Sequence, residues 1–454
     1  MNDAAASAAR ATPRWLPWLL ALVGWAFDVA AYWPGQMSFD SAYAWWQARG
    51  GETTDIAPPV FVQVWRFCDA LVAGPGLLFA LHLALFWVGL ALLARALRTG
   101  VLATLAAMLL LALAPAPLVL RGHVWTDVGL FCALTCATGA LACAQVECRK
   151  RWLLLALPML VYASALRHNA LPAIVPLAAW FAWIMSYDAL ASAPARAPRV
   201  AWTTLALLVA FVAANQAVSA TVQRRVLIWP SLAQWDLAAV SIATGRMLLP
   251  DFMIGPGLDV ADLAQAFRGW SNTPMLANTR HGMRDPFMPA FAPEQLSALR
   301  HAWLEAIVSE PGAWLAHRWR LTRALFGTHE PDWPHELIYV DDEVGYRDNP
   351  PVACNRGALH AALMRVVAAL VATPALAAWP YLMLGLAAGF VAWRRRATDA
   401  GRIAGLLLAS AWLYALPLIV LAPSAELRYL GWPCVASLLA CICVAFAPRP
   451  AVRW

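Results

Sequence analysis

Apolar runs close to the roughly 20 residues that a membrane-crossing helix needs recur along the chain. They lie at 15–33, 75–94, 101–120, 128–146, 152–166, 170–187, 201–222, 374–393, 403–422 and 431–447. The pattern predicts an all-α polytopic membrane protein of about ten transmembrane helices. The first run, Trp15 to Trp33, follows Arg10 and Arg14 and precedes no small-residue cleavage site, so a retained span is expected rather than a signal peptide. The two short runs flanking Arg167 are the least span-like, and 359–373 also suits a helix lying on the surface.

Two polar stretches are long, about 34–74 and 223–362. The expected organisation is an N-terminal transmembrane region over 1–222 with about seven spans and the outer loop 34–74. A mainly helical external domain over 223–362 and a C-terminal region over 363–454 with about three spans follow. Within the external stretch, Leu296, Leu299, Trp303 and Ile307 recur at helical spacing and predict a helix from Pro293 to Ser309. A second helix is expected from Pro311 to Phe326, with proline at its start. Its mixture of Trp314, Leu315 and Trp319 with Arg318, Arg320 and Arg323 suits a membrane surface.

Composition strengthens this reading. Hydrophobic residues make up 62% of 454 positions, charged residues 13%, and the mean hydropathy is +0.60. A soluble domain carries about 25% charged residues. Arginine and lysine number 33 against 26 acids, and Lys150 is the only lysine. The basic residues punctuate apolar runs instead of forming one polar face, which argues against nucleic-acid binding. Placing the N-terminus inside puts fifteen of them, including Arg95, Arg98, Arg149, Lys150, Arg151 and Arg394 to Arg396, in inner loops. Only Arg49, Arg66, Arg121, Arg167 and Arg428 fall in short outer segments, as orientation by positive charge requires. There is no phosphate-binding glycine loop with its lysine, no HExxH, no GxSxG and no dinucleotide fingerprint. Most of the nine cysteines lie in apolar runs, where they pack as small hydrophobes; Cys68 and Cys354 are poor candidates for pairing.

Polar groups at the outer level carry the candidate chemistry. Asp40 follows the first span in Gly35-Gln36-Met37-Ser38-Phe39-Asp40, ahead of Trp45-Trp46-Gln47, Asp55 and Pro58-Pro59. A carboxylate among aromatics beside a bilayer is expected to be short of water and suits a general base; a helix N-cap is the structural alternative. Asp127 opens the fourth span after Gly122-His123-Val124-Trp125-Thr126, where a helix N-terminus alone would favour an acid. The two acids fall at one depth, where they could share a divalent metal or divide base and orienting roles. Arg167-His168-Asn169 and Ser424-Ala425-Glu426-Leu427-Arg428-Tyr429 place guanidiniums at the same level. Such groups suit a phosphate, or serve as interfacial anchors or local ion pairs. Asp28, one turn inside the first span, is expected to be partly hydrated. The acids Glu330, Asp332, Glu336, Asp341, Asp342, Glu343 and Asp348 read as a solvated loop.

This constellation resembles the GT-C superfamily of integral membrane glycosyltransferases, among them the protein mannosyltransferases and aminoarabinose transferases. The resemblance rests on Asp40 in the first outer loop, Asp127 in the second, Arg167-His168-Asn169, the Pro311 helix, and Glu426-Leu427-Arg428-Tyr429 in the last. Ala57 stands where many members have histidine, and the Trp-Trp-Asp signature of oligosaccharyltransferases is absent. The resemblance implies transfer of a sugar from a polyprenyl-phosphate donor to an envelope acceptor, at the periplasmic face of a bacterial inner membrane. Asp40 and Asp127 would be catalytic. Asp55, His123, Arg167, His168, Asn169, Glu426, Arg428 and Tyr429 would bind substrate; no cofactor is implied beyond a possible divalent ion. A flippase of lipid-linked saccharide, a surface-polysaccharide polymerase or ligase, and a non-catalytic scaffold are the alternatives.

Overall fold

A computed structural model describes residues 12–446 except 168, 187–192, 278–281, 288, 329–333, 342–343 and 354. Among these residues the chain is helical, with isolated bridges but no strand. The helices are α1 (Leu16–Tyr32), α2 (Phe39–Ala48), α3 (Pro59–Leu71), α4 (Gly76–Leu97), α5 (Val101–Leu113), α6 (Pro115–Arg121) and α7 (Thr126–Glu147). They continue with α8 (Leu153–Leu166), α9 (Leu171–Met185), α10 (Ala193–Ser219), α11 (Trp229–Thr244), α12 (Val260–Ala266) and α13 (Thr273–Ala277). The last are α14 (Pro293–Ser309), α15 (Pro311–Leu325), α16 (Ala358–Leu370), α17 (Trp379–Arg394), α18 (Asp399–Leu421) and α19 (Gly431–Phe446).

Among the described residues five stretches are long and apolar enough to cross a membrane: α4, α7, Arg196–Ser219 of α10, α18, and Leu427–Phe446 including α19. The run at 101–120 makes a sixth, but it is not one straight helix: α5 and α6 meet at 63°. Ala114 precedes Pro115, which pushes it out of the helical region (φ −58°, ψ 119°) and removes an amide donor. Several other expected spans are shorter than their apolar runs. α8 has 14 residues, α9 has 15 and α17 has 16. The run from 374 opens with a separate turn at Pro374–Leu376, so its helix starts only at Trp379. The stretch 359–373 holds its own short apolar helix, α16, which buries His360 and Val367.

α7 lies at the centre, with every residue from Asp127 to Ala144 buried. It is built largely of Ala, Gly, Cys and Thr, which lets neighbouring backbones approach. Against α4 the approach is closest at Gly89 and Gly139: a Cβ on Gly139 would sit 2.3 Å from the Gly89 carbonyl oxygen. Leu78, Phe79, Phe86, Phe131, Trp432 and Tyr414 fill the surrounding core.

Polar contacts gather at the two ends of α7. Near its C-terminus Arg95 pairs with Glu147, Gln145 donates to Asp399, and Lys150 donates to the Met185 carbonyl. Near its N-terminus lie the first, second and last polar loops. Asp341 belongs to this second group and is not a freely solvated acid: it accepts from Gln36 Nε2 at 2.8 Å and His360 Nε2 at 3.1 Å.

Asp28 is fully buried, not partly hydrated, because Arg121 meets it. Arg121 Nε donates to Asp28 Oδ2 at 2.8 Å and Nη2 to Oδ1 at 3.2 Å. Trp87 Nε1 donates to the same carboxylate at 2.8 Å. The remaining guanidinium hydrogens reach the Leu111 and Ala112 carbonyls, which the early end of α5 leaves without helical donors. The bend at Pro115 thus frees the carbonyls that complete the partners of the buried guanidinium.

Removing one partner of such a pair costs about 3–5 kcal/mol, because the other charge is left buried alone. Arg121→Leu is therefore expected to lower the thermal unfolding midpoint of the detergent-solubilised protein sharply. The double variant Asp28→Leu with Arg121→Leu should recover part of that loss. If the double variant is as unstable as the sum of the two singles, the pair is not the source of the stability.

Candidate functional site

Three backbone bridges bring distant loops together. Gln36 pairs with the loop before α7, its amide donating to Gly122 O at 2.8 Å and its carbonyl accepting from Val124 at 2.9 Å. Ser41 Oγ donates to Val124 O, and Trp125 Nε1 donates to Ser38 Oγ. These bonds fix the start of α2 beside the start of α7. Thr54 bridges to Arg224, and Ser271 to Ser424, where Ala425 donates to Trp270 O at 2.7 Å. The last loop is thereby held against the segment 223–362.

Asp40 and Asp127 both occupy the second position of their helices, behind Ser38 and Trp125 as N-caps. Neither acid is itself the N-cap, although both sit where the helix dipole favours negative charge. Their carboxylates meet arginines from far along the chain instead. Arg428, on the short 3₁₀ turn Leu427–Leu430, donates from Nη2 to Asp40 Oδ2 at 2.6 Å. Its Nε also contacts Glu426 Oε2. Arg167, at the end of α8, donates to Asp127 Oδ2 at 3.2 Å. The guanidiniums of Arg167 and Arg428 lie 4.8 and 5.3 Å from the Tyr429 ring centroid, and Arg428 also lies 5.1 Å from that of Trp125. Ser424 Oγ donates to Glu426 Oε1 at 2.6 Å.

Asp40, Asp127, Arg167, Glu426, Arg428 and Tyr429 therefore form one cluster, in which Asp40 and Arg428 bond across 388 positions of chain. Asp40 departs from the expected water-poor setting, since its side chain is 65% exposed while Arg428 is 8% exposed. The first turn of α2 lifts the carboxylate to the rim, and the arginine rises to it from below.

The other expected residues surround this cluster or stand apart from it. His123 is buried and stacks on Trp125, with ring centroids 3.8 Å apart. Burial pushes its imidazole down to about 4, so it is neutral. The ring bonds the Val119 carbonyl through Nδ1 and accepts from the Val340 amide at Nε2. It supports the loop and holds the 340 segment in place. Asn169 lies beside Tyr414. Asp55 serves a structural bond instead, accepting from the Val226 amide at 2.6 Å. His168 and Cys354 lie outside the described residues. Among the described residues no three His, Cys, Asp or Glu side chains gather as a metal site would require.

A second buried ionic centre was not legible in the sequence. Asp236, on α11, contacts Arg318 Nη2 at 2.5 Å and His317 Nε2 at 3.3 Å through Oδ1. The Trp303 and Trp314 indoles both donate to its Oδ2 at 3.0 Å. Arg318 also donates to Ala422 O, tying α15 to the end of α18. The arginine expected on a membrane-facing surface of α15 is thus internal, whereas Leu315 and Trp319 remain exposed. The adjacent pair His317-Arg318 facing one way was the available signal, but its partner lies far upstream.

No family model matches the chain, and no curated protein matches it.

The Asp236 centre predicts a pH dependence. Burial opposes the Asp236 charge, but the bond from His317 and the Arg318 charge outweigh it and hold the carboxyl below its ordinary 3.8. Burial holds His317 below its ordinary 6.5 despite Asp236. At both groups the unfolded chain takes up a proton that the folded chain resists, so acid destabilises the fold. The loss begins below pH 6.5 through His317 and deepens below 3.8 through Asp236. Thermal melts between pH 8 and 5 should show a falling midpoint, and His317→Gln should flatten that slope.

Proposed function

We propose that the cluster of Asp40, Asp127, Arg167, Glu426, Arg428 and Tyr429 is the active site of a membrane glycosyltransferase. It would move a sugar from a polyprenyl-phosphate donor to a hydroxyl of an envelope lipid, glycan or protein. The observation that carries this reading is the 2.6 Å bond from a nearly buried arginine to an exposed aspartate across the first and last polar loops. A second guanidinium, Arg167, faces the same tyrosine ring. Two arginines and an accessible carboxylate at one rim are the groups needed to hold a phosphate ester and take a proton beside it. The order of these residues along the chain is also what the resemblance to the GT-C superfamily implies.

In the proposed reaction the donor phosphate lies against Arg428 and Arg167. Asp40 removes the proton of the acceptor hydroxyl as its oxygen attacks the anomeric carbon. The bond from that carbon to the phosphate oxygen breaks, and its electron pair leaves with the polyprenyl phosphate. The arginines stabilise the charge gained there, as preorganised donors do, and Asp127 orients Arg167 through their mutual bond. Asp40→Asn is expected to reduce transfer from radiolabelled polyprenyl-phosphate sugar in proteoliposomes by at least tenfold, a floor set beneath a general base's contribution of about 10²–10⁴. Turnover near that of the parent, with folding intact, would remove Asp40 from this role.

The topology that accompanies this reading has ten spans, with both termini in the cytoplasm of a bacterial cell and segment 223–362 in the periplasm. The contacts at the two ends of α7 support it. Gln36–His123, Thr54–Arg224 and Ser271–Ser424 join only segments assigned outside. Arg95–Glu147, Gln145–Asp399 and Lys150–Met185 join segments assigned inside to one another or to the inner ends of spans. Alkaline phosphatase fused after Gly50 or Glu310 should be active, and fusions after Arg98, Arg149 or Arg396 inactive. Active phosphatase at any of the last three positions would overturn the arrangement.

A further inference from the structure

Charge within the cluster is unevenly divided. Three carboxylates, Asp40, Asp127 and Glu426, face two guanidiniums, Arg167 and Arg428. Arg428 contacts Asp40 from one side and Glu426 from the other, so an anion approaching it meets donors that are already engaged. The two acids are not equally placed to yield. Glu426 is largely buried and receives Ser424 Oγ at 2.6 Å and the Tyr429 hydroxyl at 3.4 Å in addition to the arginine. Asp40 is largely exposed, and Arg428 is the one side-chain partner described for it. It sits on a helix turn at the rim, and its carboxylate can swing into water at little cost in solvation. Arg428 is fixed between the Trp125 and Tyr429 rings and cannot follow it.

We infer that Asp40 is a latch on Arg428: it occupies the guanidinium in the resting protein, and the phosphate of an isoprenoid lipid displaces it. This inference rests on the reading of the cluster as a lipid-phosphate site and adds an order of events to it. The incoming phosphate takes the Nη2 donor, and the released carboxylate turns toward the acceptor hydroxyl. The group that acts as base is therefore freed only when a donor is bound. A carboxylate that remained bonded to Arg428 through Oδ2 would be held at the guanidinium and away from the acceptor, and a site without the latch would hold a free base in the absence of substrate.

A carboxylate that competes with the ligand must weaken binding, whereas a base that touches only the acceptor leaves donor affinity unchanged. Farnesyl phosphate in detergent micelles is the lipid probe and inorganic phosphate the soluble one. Each is titrated against the full-length protein at low ionic strength and followed by thermophoresis or thermal shift. Asp40→Asn, which retains size but cannot form the ion pair, should bind farnesyl phosphate about 1.5- to fivefold more tightly than the parent, the range expected for one exposed charge interaction. Asp40→Glu should bind like the parent, which separates loss of the latch from a general change at the rim. Equal or weaker binding by Asp40→Asn, with the parent still binding, overturns the latch and leaves the phosphate site standing. Absence of farnesyl phosphate binding by every variant overturns the phosphate site and the latch together. Tightening toward inorganic phosphate alone overturns the assignment to a lipid.

Discussion

A guanidinium surrounded by apolar helices must be met by a carboxylate, and at four places in this protein the carboxylate arrives from a distant part of the chain. Arg121 finds Asp28, Arg167 finds Asp127, Arg318 finds Asp236, and Arg428 finds Asp40. Each pairing joins helices or loops that local propensity alone would not bring together. The desolvation cost of an unpaired ion inside such a bundle runs to several kcal/mol, so the pairs also exclude alternative packings. Charges are scarce in the sequence, and their placement governs the tertiary arrangement.

The helical class and the approximate position of most apolar segments could be read from the sequence, because the length and continuity of apolar runs dominate for a chain of this composition. The helices Pro293–Ser309 and Pro311–Leu325 were legible for a different reason: each begins with proline in a first turn and carries apolar residues at helical spacing. Lengths were less legible. Proline at 115 divides a run that hydropathy treats as continuous, and prolines at 374 and 380 delay the start of α17.

Convergence of Asp40, Asp127, Arg167 and Arg428 could be anticipated only as far as a common depth in the bilayer. The bridges that bring them into contact use backbone groups of Gln36, Gly122 and Val124, and backbone bonds leave no trace in residue identity. Asp55 shows the opposite case. It lies in the same loop and has the same chemistry as Asp40, yet it is spent on the Val226 amide. Asp28 and Arg121 each looked like an interfacial residue when viewed alone; only their meeting explains why both are buried.

The wholly enclosed position of α7 has a consequence for biosynthesis. Its alanine, glycine, cysteine and threonine side chains suit close neighbours far better than they suit acyl chains. A helix of this kind gains little by partitioning into lipid alone. As the ribosome delivers it, α4 is already made and offers the Gly89 groove, whereas α18 and α19 are still hundreds of residues away. Its cover from α4 and α8 forms early, and the smaller part that α18 and α19 supply is added only when the C-terminal helices emerge.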